Sequence, residues 1–279
     1  MKVSIVVPVY NSEKTIRKCL NSLMEQTYDD CEIIVVDNNS TDNTKKIVRE
    51  FDKIKCVFEP VPGRGAARNT GEKHTDGEII VMTDSDCVAY PNWVSELVNP
   101  IIRNECDAVQ GSEESMADDF WSAHIQNQHS RKEKDDNIIG MIDTKNFAIS
   151  INALKKIGFT SRKYMSGNDT ELSIRFKKNN LRLKFLSDVE VKHFHPNSFK
   201  KVVKKYFYRA AWCTKITRDY EDYLKHTSFL SQTNQTAWTF FKFFPGLFKT
   251  MITRGIGDAY FDFVSGIAWR AGLIWGKLK

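Results

Sequence analysis

Four runs of apolar residues within the first hundred positions constrain the fold of this chain more than any other feature. Segments with helical spacing separate the runs, and in the first such segment Ile16, Leu20 and Leu23 fall on one face. Strands that are apolar along their whole length are typical of parallel sheets covered by helices on both faces. The four runs read "VSIVVPVY", "EIIVVD", "KCVFE" and "GEIIVMTD". The pattern predicts an α/β fold with a mixed, mostly parallel sheet flanked by helices.

Polar residues follow three of these runs directly. Asn11 comes after the first run, Asp37 ends the second, and Asp84 ends the fourth, with Asp86 two residues later. Ligands of open parallel sheets bind at the carboxyl ends of the strands. We therefore expect these four side chains to surround one crevice.

The aspartate pair in "TDSDC" allows several interpretations. Two carboxylates at a strand end can converge on one Mg²⁺ or Mn²⁺ together with substrate phosphates. A phosphorylated nucleophile is disfavoured, because Asp84 follows a late strand and "TDSDCVAYPNW" lacks the expected run of small turn residues. A solvated strand end without chemistry is the third interpretation.

Composition and cysteine spacing limit the class of protein. With 279 residues, 41% of them apolar and 27% charged, the chain can bury a core and form a globular structure. Its six cysteines are widely spaced and form no CxxC pair. This spacing is unlike a zinc knuckle or a disulfide framework, and it favours a reducing, cytoplasmic compartment. The apolar N-terminal run is too short for a signal peptide, and we expect it to be the first strand.

The later part of the chain has a looser pattern. We expect a strand at "DAVQG", an acidic loop at "SEESMADDF", hairpin or loop-strand structure at "NIIGMIDTKNFAIS", a helix at "GNDTELSIRFKKNN" and two strands at "LRLKFL" and "VEVKHFH". An amphipathic basic helix is expected from Ser198 onward. We predict a catalytic domain over residues 1–197, with halves at about 1–105 and 106–197, and a helical extension over residues 198–279.

The extension is basic and rich in aromatic residues. Residues 192–218 contain eight Lys or Arg and neither Asp nor Glu, and "WTFFKFFPGLFKTMITRGIG" combines Phe and Trp with spaced cations. This composition suits a helix lying on a membrane surface, and it equally suits helices packed on the main domain. No window has the roughly 18 uninterrupted apolar residues that a membrane span needs. Nucleic-acid binding is not expected, because no recognisable module accompanies the basic residues.

Five short motifs, in this order, carry a family resemblance. They are "PVYN" at 8–11, "VVDNNSTD" at 35–42, "GRGAARNTG" at 63–71, "TDSDC" at 83–87 and "GNDTELSIRF" at 167–176. Over residues 2–195 the chain resembles the inverting glycosyltransferases of family 2. The resemblance implies a GT-A, Rossmann-like fold and a nucleotide-sugar donor.

The resemblance also implies a donor pocket. Asp37 matches the aspartate that binds the base, usually uracil, Asp84 the residue that contacts ribose, and Asp86 the ligand of a divalent metal, Mn²⁺ or Mg²⁺. Arg68 can neutralise a diphosphate or pair with Asp84. The residues placed at this nucleotide-sugar pocket are Pro8, Tyr10, Asn11, Glu13, Asp37, Arg68, Asp84, Ser85 and Asp86.

The acceptor side is implied by the segment "GNDTEL". Asp169 matches the family's catalytic base, but the carboxylate that usually precedes it is replaced here by Asn168. We expect Asn168, Glu171 and, in "KNFAIS", Asn146 to contact the acceptor, with Glu171 as the second candidate base.

A third metal ligand is implied within "VKHFH". His193 matches the commoner family position for an imidazole ligand, and His195 is the alternative.

These expectations combine into a metal-dependent inverting glycosyltransferase. The predicted donor is a nucleoside diphosphate sugar, with UDP favoured, and the predicted acceptor is a glycan hydroxyl, with a lipid-linked glycan at a peripheral membrane surface as one candidate. A non-catalytic sugar-nucleotide-binding subunit is the alternative, and release of UDP from the donor would discriminate the two. A nucleotidyltransferase is disfavoured because "PVYNSEKT" has no glycine after the first strand.

Overall fold

The computed structural model of the protein describes residues 1–133, 142–227 and 236–278. Contacts divide the chain into two compact units. Unit 1 comprises Met1–Ala117 and Gln128–Phe194, and unit 2 comprises Asp118–Asn127 and His195–Lys279.

Unit 1 is a mixed sheet covered by helices. Its strands are β1 (Val3–Val9), β2 (Cys31–Asp37), β3 (Ile54–Phe58), β4 (Ile79–Thr83), β5 (Cys87–Ala89), β6 (Ala108–Ser115), β7 (Asn146–Ser150) and β8 (Leu183–His193). Its helices are α1 (Ile16–Met24), α2 (Thr44–Val48), α3 (Arg64–Lys73), α4 (Trp93–Ile102), α6 (Ile151–Ile157) and α7 (Asn168–Lys178), and α5 (Phe120–Glu133) runs across the boundary of the units.

The eight strands form one sheet in the order β3-β2-β1-β4-β7-β6-β8-β5. The first four are parallel, whereas β7 runs antiparallel to both β4 and β6, and β5 runs antiparallel to β8. Buried side chains alternate between the two faces: Ile5 and Val7 pack in one apolar cluster, and Val6 packs in another. The predicted mixed α/β sheet with helices on both faces is confirmed.

The connection between β4 and β5 requires the sheet to curl. These strands are separated by three others in the sheet, which would put them about 19 Å apart if the sheet were flat. Only Asp84, Ser85 and Asp86 join them, and so short a link reaches about 14 Å at most. Asp84 and Asp86 therefore lie where the curled sheet brings its edge strand β5 close to β4.

Three segments differ from the expectations. Glu113 belongs to strand β6 and is buried, so "SEES" is not a loop. The two strands expected at the end of unit 1 are one, β8, whose register against β6 shifts between Gly111 and Ser112. The displaced residues have partners, because Ser112 Oγ donates to the Ser187 carbonyl at 2.7 Å. Of "NIIGMIDTKNFAIS", residues 137–141 lie outside the described part, and β7 confirms a strand at its end.

Unit 2 is helical, as expected for the extension. It contains α8 (Phe199–Asp219), α9 (Glu221–Leu224), α10 (Thr236–Arg254) and α11 (Ile256–Leu278). A Cβ atom at Gly272 would lie 2.1 Å from the Phe207 carbonyl oxygen, so α11 approaches α8 at van der Waals distance because glycine stands there. The Arg270 guanidinium lies 3.9 Å from the centroid of the Phe243 ring, which joins α11 to α10.

None of the helices in the described residues is both long enough and apolar enough to cross a membrane.

Candidate active site

The turn after β1 is held by polar contacts to the turn after β2. Asn11 has a φ of 50°, and its side-chain oxygen accepts a hydrogen bond from the Thr41 amide at 2.8 Å. Asparagine tolerates this left-handed conformation better than most residues. Tyr10 projects outward with 62% of its surface exposed, and Pro8 is buried opposite Val36 in the β1–β2 ladder. The tight turn leaves an aromatic ring at the mouth of the crevice.

Asp37 and Glu13 lie on either side of this turn. Asp37 is buried at the end of β2, with its Oδ2 3.3 Å from Lys45 Nζ, and Lys45 also lies 5.0 Å from the centroid of the Phe58 ring. Glu13 accepts hydrogen bonds from the amide and the side chain of Asn43. A buried carboxylate beside an exposed aromatic ring can bind the polar edge of a planar base.

Arg68 connects the aspartate that follows β4 with the start of α7. It lies on α3, only 2% exposed, and its Nη2 donates to Asp84 Oδ1 at 2.6 Å. Its Nη1 lies 3.7 Å from Asp169 Oδ1. Arg64, one turn earlier on α3, lies 3.8 Å from the other oxygen of Asp84. One buried guanidinium thus holds two carboxylates that are 85 residues apart in the sequence (169 − 84).

Helix α3 approaches the sheet closely enough to position Arg68 because of its glycines. Gly63, with φ of 127°, precedes the helix, as the glycine turn predicted. A Cβ at Gly71 would lie 2.4 Å from a methyl carbon of Val6, and one at Gly65 would lie 2.2 Å from the Asn168 amide nitrogen. These glycines let α3 contact both β1 and the start of α7.

Asp86 and His193 form the candidate metal site. Oδ1 of Asp86 is buried and accepts no hydrogen bond within the described residues, and His193 Nε2 lies 3.5 Å from it. Burial raises the pKa of Asp86, but the His193 ring and the Arg64 guanidinium outweigh this effect and lower the pKa to about 2. An ionised carboxylate oxygen and an imidazole nitrogen at this separation fit two ligands of one divalent cation.

Cys87 also lies within reach of this pair. Burial and the neighbouring carboxylates raise the pKa of its thiol well above the usual range. A protonated thiol is a poor ligand for Mg²⁺ or Mn²⁺, which prefer oxygen and, for Mn²⁺, imidazole. The donor set is therefore Asp86 and His193. Ser85, between the two aspartates, places its Oγ 2.7 Å from that of Ser12.

Asp169 lies at the start of α7, where the helix dipole favours a carboxylate. Its Oδ1 accepts a hydrogen bond from the Thr144 hydroxyl, and 29% of its side chain is exposed. Asp169 is therefore held in place yet remains reachable by a substrate.

The other three residues expected on the acceptor side have protein partners instead. All three are buried. The Asn146 amide bonds the Trp93 ring nitrogen and two backbone carbonyls. Asn168 donates to the carbonyls of Ser161 and Tyr164, and Glu171 forms a two-pronged pair with Arg175 at 2.7 and 2.9 Å. These side chains stabilise the fold around Asp169, and the Glu171–Arg175 pair leaves Asp169 as the accessible carboxylate of α7.

A comparison with known families decides the classification. The profile described as Glycosyl transferase family 2 matches residues 4–158, which is more than half of the chain.

The chain belongs to glycosyltransferase family 2.

Similar proteins agree with this assignment. Glycosyltransferase AglE of Haloferax volcanii is 30% identical over 223 residues, which cover 74% of this chain and 70% of that protein. The Escherichia coli UDP-Glc:alpha-D-GlcNAc-diphosphoundecaprenol beta-1,3-glucosyltransferase WfgD is 36% identical over 115 residues, covering 40% of this chain and 46% of its own length. This family 2 member is thus a glycosyltransferase that uses a nucleotide-sugar donor.

Solved structures show the same fold. The mannosyltransferase PcManGT from Pyrobaculum calidifontis, in complex with GDP-Man and Mn²⁺, aligns with a TM-score of 0.70 at 18% identity, over 100% of this chain and 86% of its own. TarS 1–349 of S. aureus, in complex with UDP-GlcNAc, aligns with a TM-score of 0.57 at 17% identity, over 100% of this chain and 92% of its own. The predicted GT-A fold is confirmed.

Several residues around this glycosyltransferase site carried no signal in the sequence. Glu113 and Lys145 are buried behind His193, and Thr144 holds Asp169. Glu113 lies in an acidic segment that we expected to be a loop. Its burial depends on cationic side chains from elsewhere in the chain, such as Lys145. The alternative metal ligand, His195, belongs to unit 2, where its Nε2 lies 3.1 Å from the side-chain oxygen of Gln126.

Proposed function

We propose that this chain is a metal-dependent, inverting glycosyltransferase that moves a sugar from a UDP-sugar to a hydroxyl group of a lipid-linked glycan. One observation carries the proposal: Arg68 bonds Asp84, at the end of β4, and also lies beside Asp169, at the start of α7. A donor-side carboxylate and an accessible carboxylate on the acceptor side therefore meet at one buried cation.

On the donor side, Asp37 binds the base and Asp84 the ribose in this proposal. Tyr10 lies beside the base, with Pro8 and Asn11 shaping the turn below it. Glu13 supports that turn through Asn43, and Ser85 supports it through Ser12. Arg68 contributes its positive charge to the diphosphate side of the pocket while its buried guanidinium stays bonded to Asp84.

Asp86 and His193 would hold the divalent cation. When bound there, Mn²⁺ or Mg²⁺ supplies positive charge that offsets the charge of the departing nucleoside diphosphate. The similar mannosyltransferase is a complex with both GDP-Man and Mn²⁺, which supports this assignment.

Asp169 acts as the general base. Its carboxylate takes the proton of the acceptor hydroxyl as that oxygen attacks the anomeric carbon from the side opposite the diphosphate. The bond between the anomeric carbon and the diphosphate oxygen breaks, its electron pair leaves with the nucleoside diphosphate, and the configuration inverts. Most of the rate then comes from positioning and charge stabilisation.

The choice of UDP rests on the match of Asp37 to a uracil-binding aspartate and on the UDP-Glc in the name of WfgD. The same name contains a diphosphoundecaprenol, which supports a lipid-linked acceptor. The GDP-Man in the similar mannosyltransferase structure favours GDP as the second candidate nucleotide.

Unit 2 supports an acceptor presented at a membrane surface, on its cytoplasmic face. One exposed apolar stripe runs along α11 at helical spacing and comprises Ile256, Tyr260, Phe263, Ile267 and Ile274. A second exposed stripe on α10 comprises Phe244, Phe248, Met251 and Ile252, with the exposed cation Lys249 at its edge. Apolar residues flanked by cations suit an anionic lipid interface. The six cysteines, widely spaced in the sequence, suit a reducing compartment.

A thermal-shift experiment with UDP and GDP, each in Mn²⁺ and in EDTA, tests the donor side. A ligand at 100 times its Kd stabilises the folded state by about 2.7 kcal/mol. We expect UDP to raise the Tm in Mn²⁺ and to do so far less in EDTA. Asp86→Ala is expected to abolish that difference, and the exposed Asp188→Ala serves as the control.

Three other outcomes change the proposal. A shift by GDP alone reassigns the nucleotide, and equal shifts in Mn²⁺ and EDTA contradict the metal. If UDP binds but no UDP is released from any UDP-sugar, with or without acceptor, the chain is a binding subunit and not an enzyme.

A further inference from the structure

A buried glutamate lies behind the candidate metal ligand His193. Glu113 is on β6, and only 4% of its side chain is exposed. Its Oε2 lies 2.8 Å from His193 Nδ1. Its Oε1 contacts Lys145 Nζ at 3.3 Å and also the ring of His129. A carboxylate this deeply buried is costly unless cations and hydrogen bonds compensate it, and here they surround it.

The contact with His193 determines which ring nitrogen carries the proton. An ionised carboxylate can only accept hydrogen bonds, so Nδ1 of His193 must be the donor. In the neutral ring, Nε2 then keeps its lone pair, and Nε2 is the nitrogen 3.5 Å from Asp86 Oδ1. A carboxylate on the far nitrogen of a ligating histidine fixes the ring orientation and raises its basicity.

The strand register holds this arrangement in place. Glu113 pairs with Val191 in the β6–β8 ladder, which makes it a diagonal neighbour of His193 on the same face. Lys145, just before β7, holds the other carboxylate oxygen. The two carboxylate oxygens of Glu113 are thus held by His193 on β8 and by Lys145, which lies next to β7.

We infer that Glu113 is a positioning residue that presents the Nε2 lone pair of His193 to a divalent cation, with Lys145 compensating its charge. The inference rests on the proposed metal site of Asp86 and His193, and it adds a residue that no family motif in the sequence indicated.

The first test uses the wild-type protein and no metal. Nitrogen-15 NMR of the histidine rings, assigned by loss of signals in His193→Asn, reports the tautomer at a pH where the ring is neutral. We expect the proton on Nδ1 of His193 and an unprotonated Nε2. A ring with its proton on Nε2 overturns the inference, and this result does not depend on whether a metal binds.

The second test measures Mn²⁺ affinity from the EPR signal of free Mn²⁺, without substrate. Loss of an outer partner of a metal ligand typically weakens binding about 10- to 100-fold, and we expect Glu113→Gln to do so. Glu114→Gln, the exposed next residue of the same strand, is the matched control and should bind like the wild type. Circular dichroism confirms that both variants fold.

A double-mutant cycle separates positioning from general destabilisation. If Glu113 acts through His193, then Glu113→Gln has no further effect on Mn²⁺ affinity once His193 is Ala. An equal loss in both backgrounds contradicts the inference, as does wild-type affinity in Glu113→Gln. If the wild type binds Mn²⁺ neither alone nor with UDP, the proposed metal site fails instead, and the tautomer alone then decides whether Glu113 orients His193.

Discussion

Asp169 is the residue on which the proposed chemistry depends most. Its Oδ1 accepts a hydrogen bond from the Thr144 hydroxyl and lies 3.7 Å from Arg68 Nη1, so rotation of the side chain is restricted. The other carboxylate of α7, Glu171, is bound by Arg175 on both oxygens. Asn168, which stands where the family usually has a carboxylate, is buried and donates to two backbone carbonyls.

Replacing Asp169 with Asn should therefore remove the base and keep the structure. General-base catalysis typically contributes about 10²- to 10⁴-fold, and we expect kcat to fall by that range while UDP binding is retained. Steady-state transfer kinetics and a nucleotide titration measure the two effects. Asp29→Asn, at an exposed position, is the control. Wild-type turnover in Asp169→Asn would exclude this carboxylate as the base.

At the scale of secondary-structure elements, α3 determines how the two sides of the site meet. Arg68 of this helix contacts Asp84, which follows β4, and Asp169, at the start of α7. The neighbouring Asn69 donates a hydrogen bond to the Thr160 carbonyl at 2.7 Å. Glu72 of the same helix accepts a hydrogen bond from the Thr160 amide, and its burial raises its pKa. One helix face thus anchors the segment that leads into α7.

Gly65→Ala tests this role of α3. The added Cβ would lie within 2.3 Å of both the Asn168 amide nitrogen and the Ser161 carbonyl, so the start of α7 must move and carry Asp169 with it. We expect kcat/KM to fall at least tenfold even though Ala favours the helix by about 1 kcal/mol.

Gly246→Ala is the matched control for this substitution. Gly246 is also a helix glycine, and a Cβ there meets no atom of the described residues within 4 Å. We expect its kcat/KM and Tm to equal or exceed the wild-type values. Unchanged activity in Gly65→Ala would show that α7 does not depend on its contact with α3.

At the scale of the whole molecule, the proposed membrane-surface acceptor depends on the exposed apolar stripes of unit 2. Phe248 and Ile252 on α10 are 61% and 68% exposed. Full burial of such a side chain contributes about 1.5–3 kcal/mol. The double variant Phe248→Ser, Ile252→Ser should therefore lower the affinity for anionic vesicles at least tenfold in co-sedimentation. Added salt should weaken binding of the wild type, because the cations also contribute.

A double variant in unit 1 provides the control for this experiment. Val61→Ser with Ile102→Ser removes two exposed apolar residues outside the stripes and should leave vesicle binding unchanged. Equal binding by both double variants contradicts the membrane proposal. A wild-type dimer that dissociates in Phe248→Ser, Ile252→Ser would assign the stripes to self-association.

Local patterns predicted the parts of this fold that depend on short stretches of chain. Apolar runs predicted the strands β1 to β4, and the glycine turn predicted the start of α3, because both follow from backbone preferences within a few residues. The strand β5 escaped prediction, since three residues carry too little periodicity. The predicted acceptor contacts of Glu171 and Asn168 followed a motif that specifies residue types and not side-chain directions.

The sequence by itself determined the α/β class, the family and the strand-end position of Asp84 and Asp86, because these depend on spacing along the chain. Only the tertiary structure brought Arg68 to Asp169 and Glu113 to His193. Those contacts join residues 80 or more positions apart, and they exist because the sheet curls and α3 packs closely at its glycines. Side chains so distant in sequence leave no local pattern, so packing alone decides which of them meet.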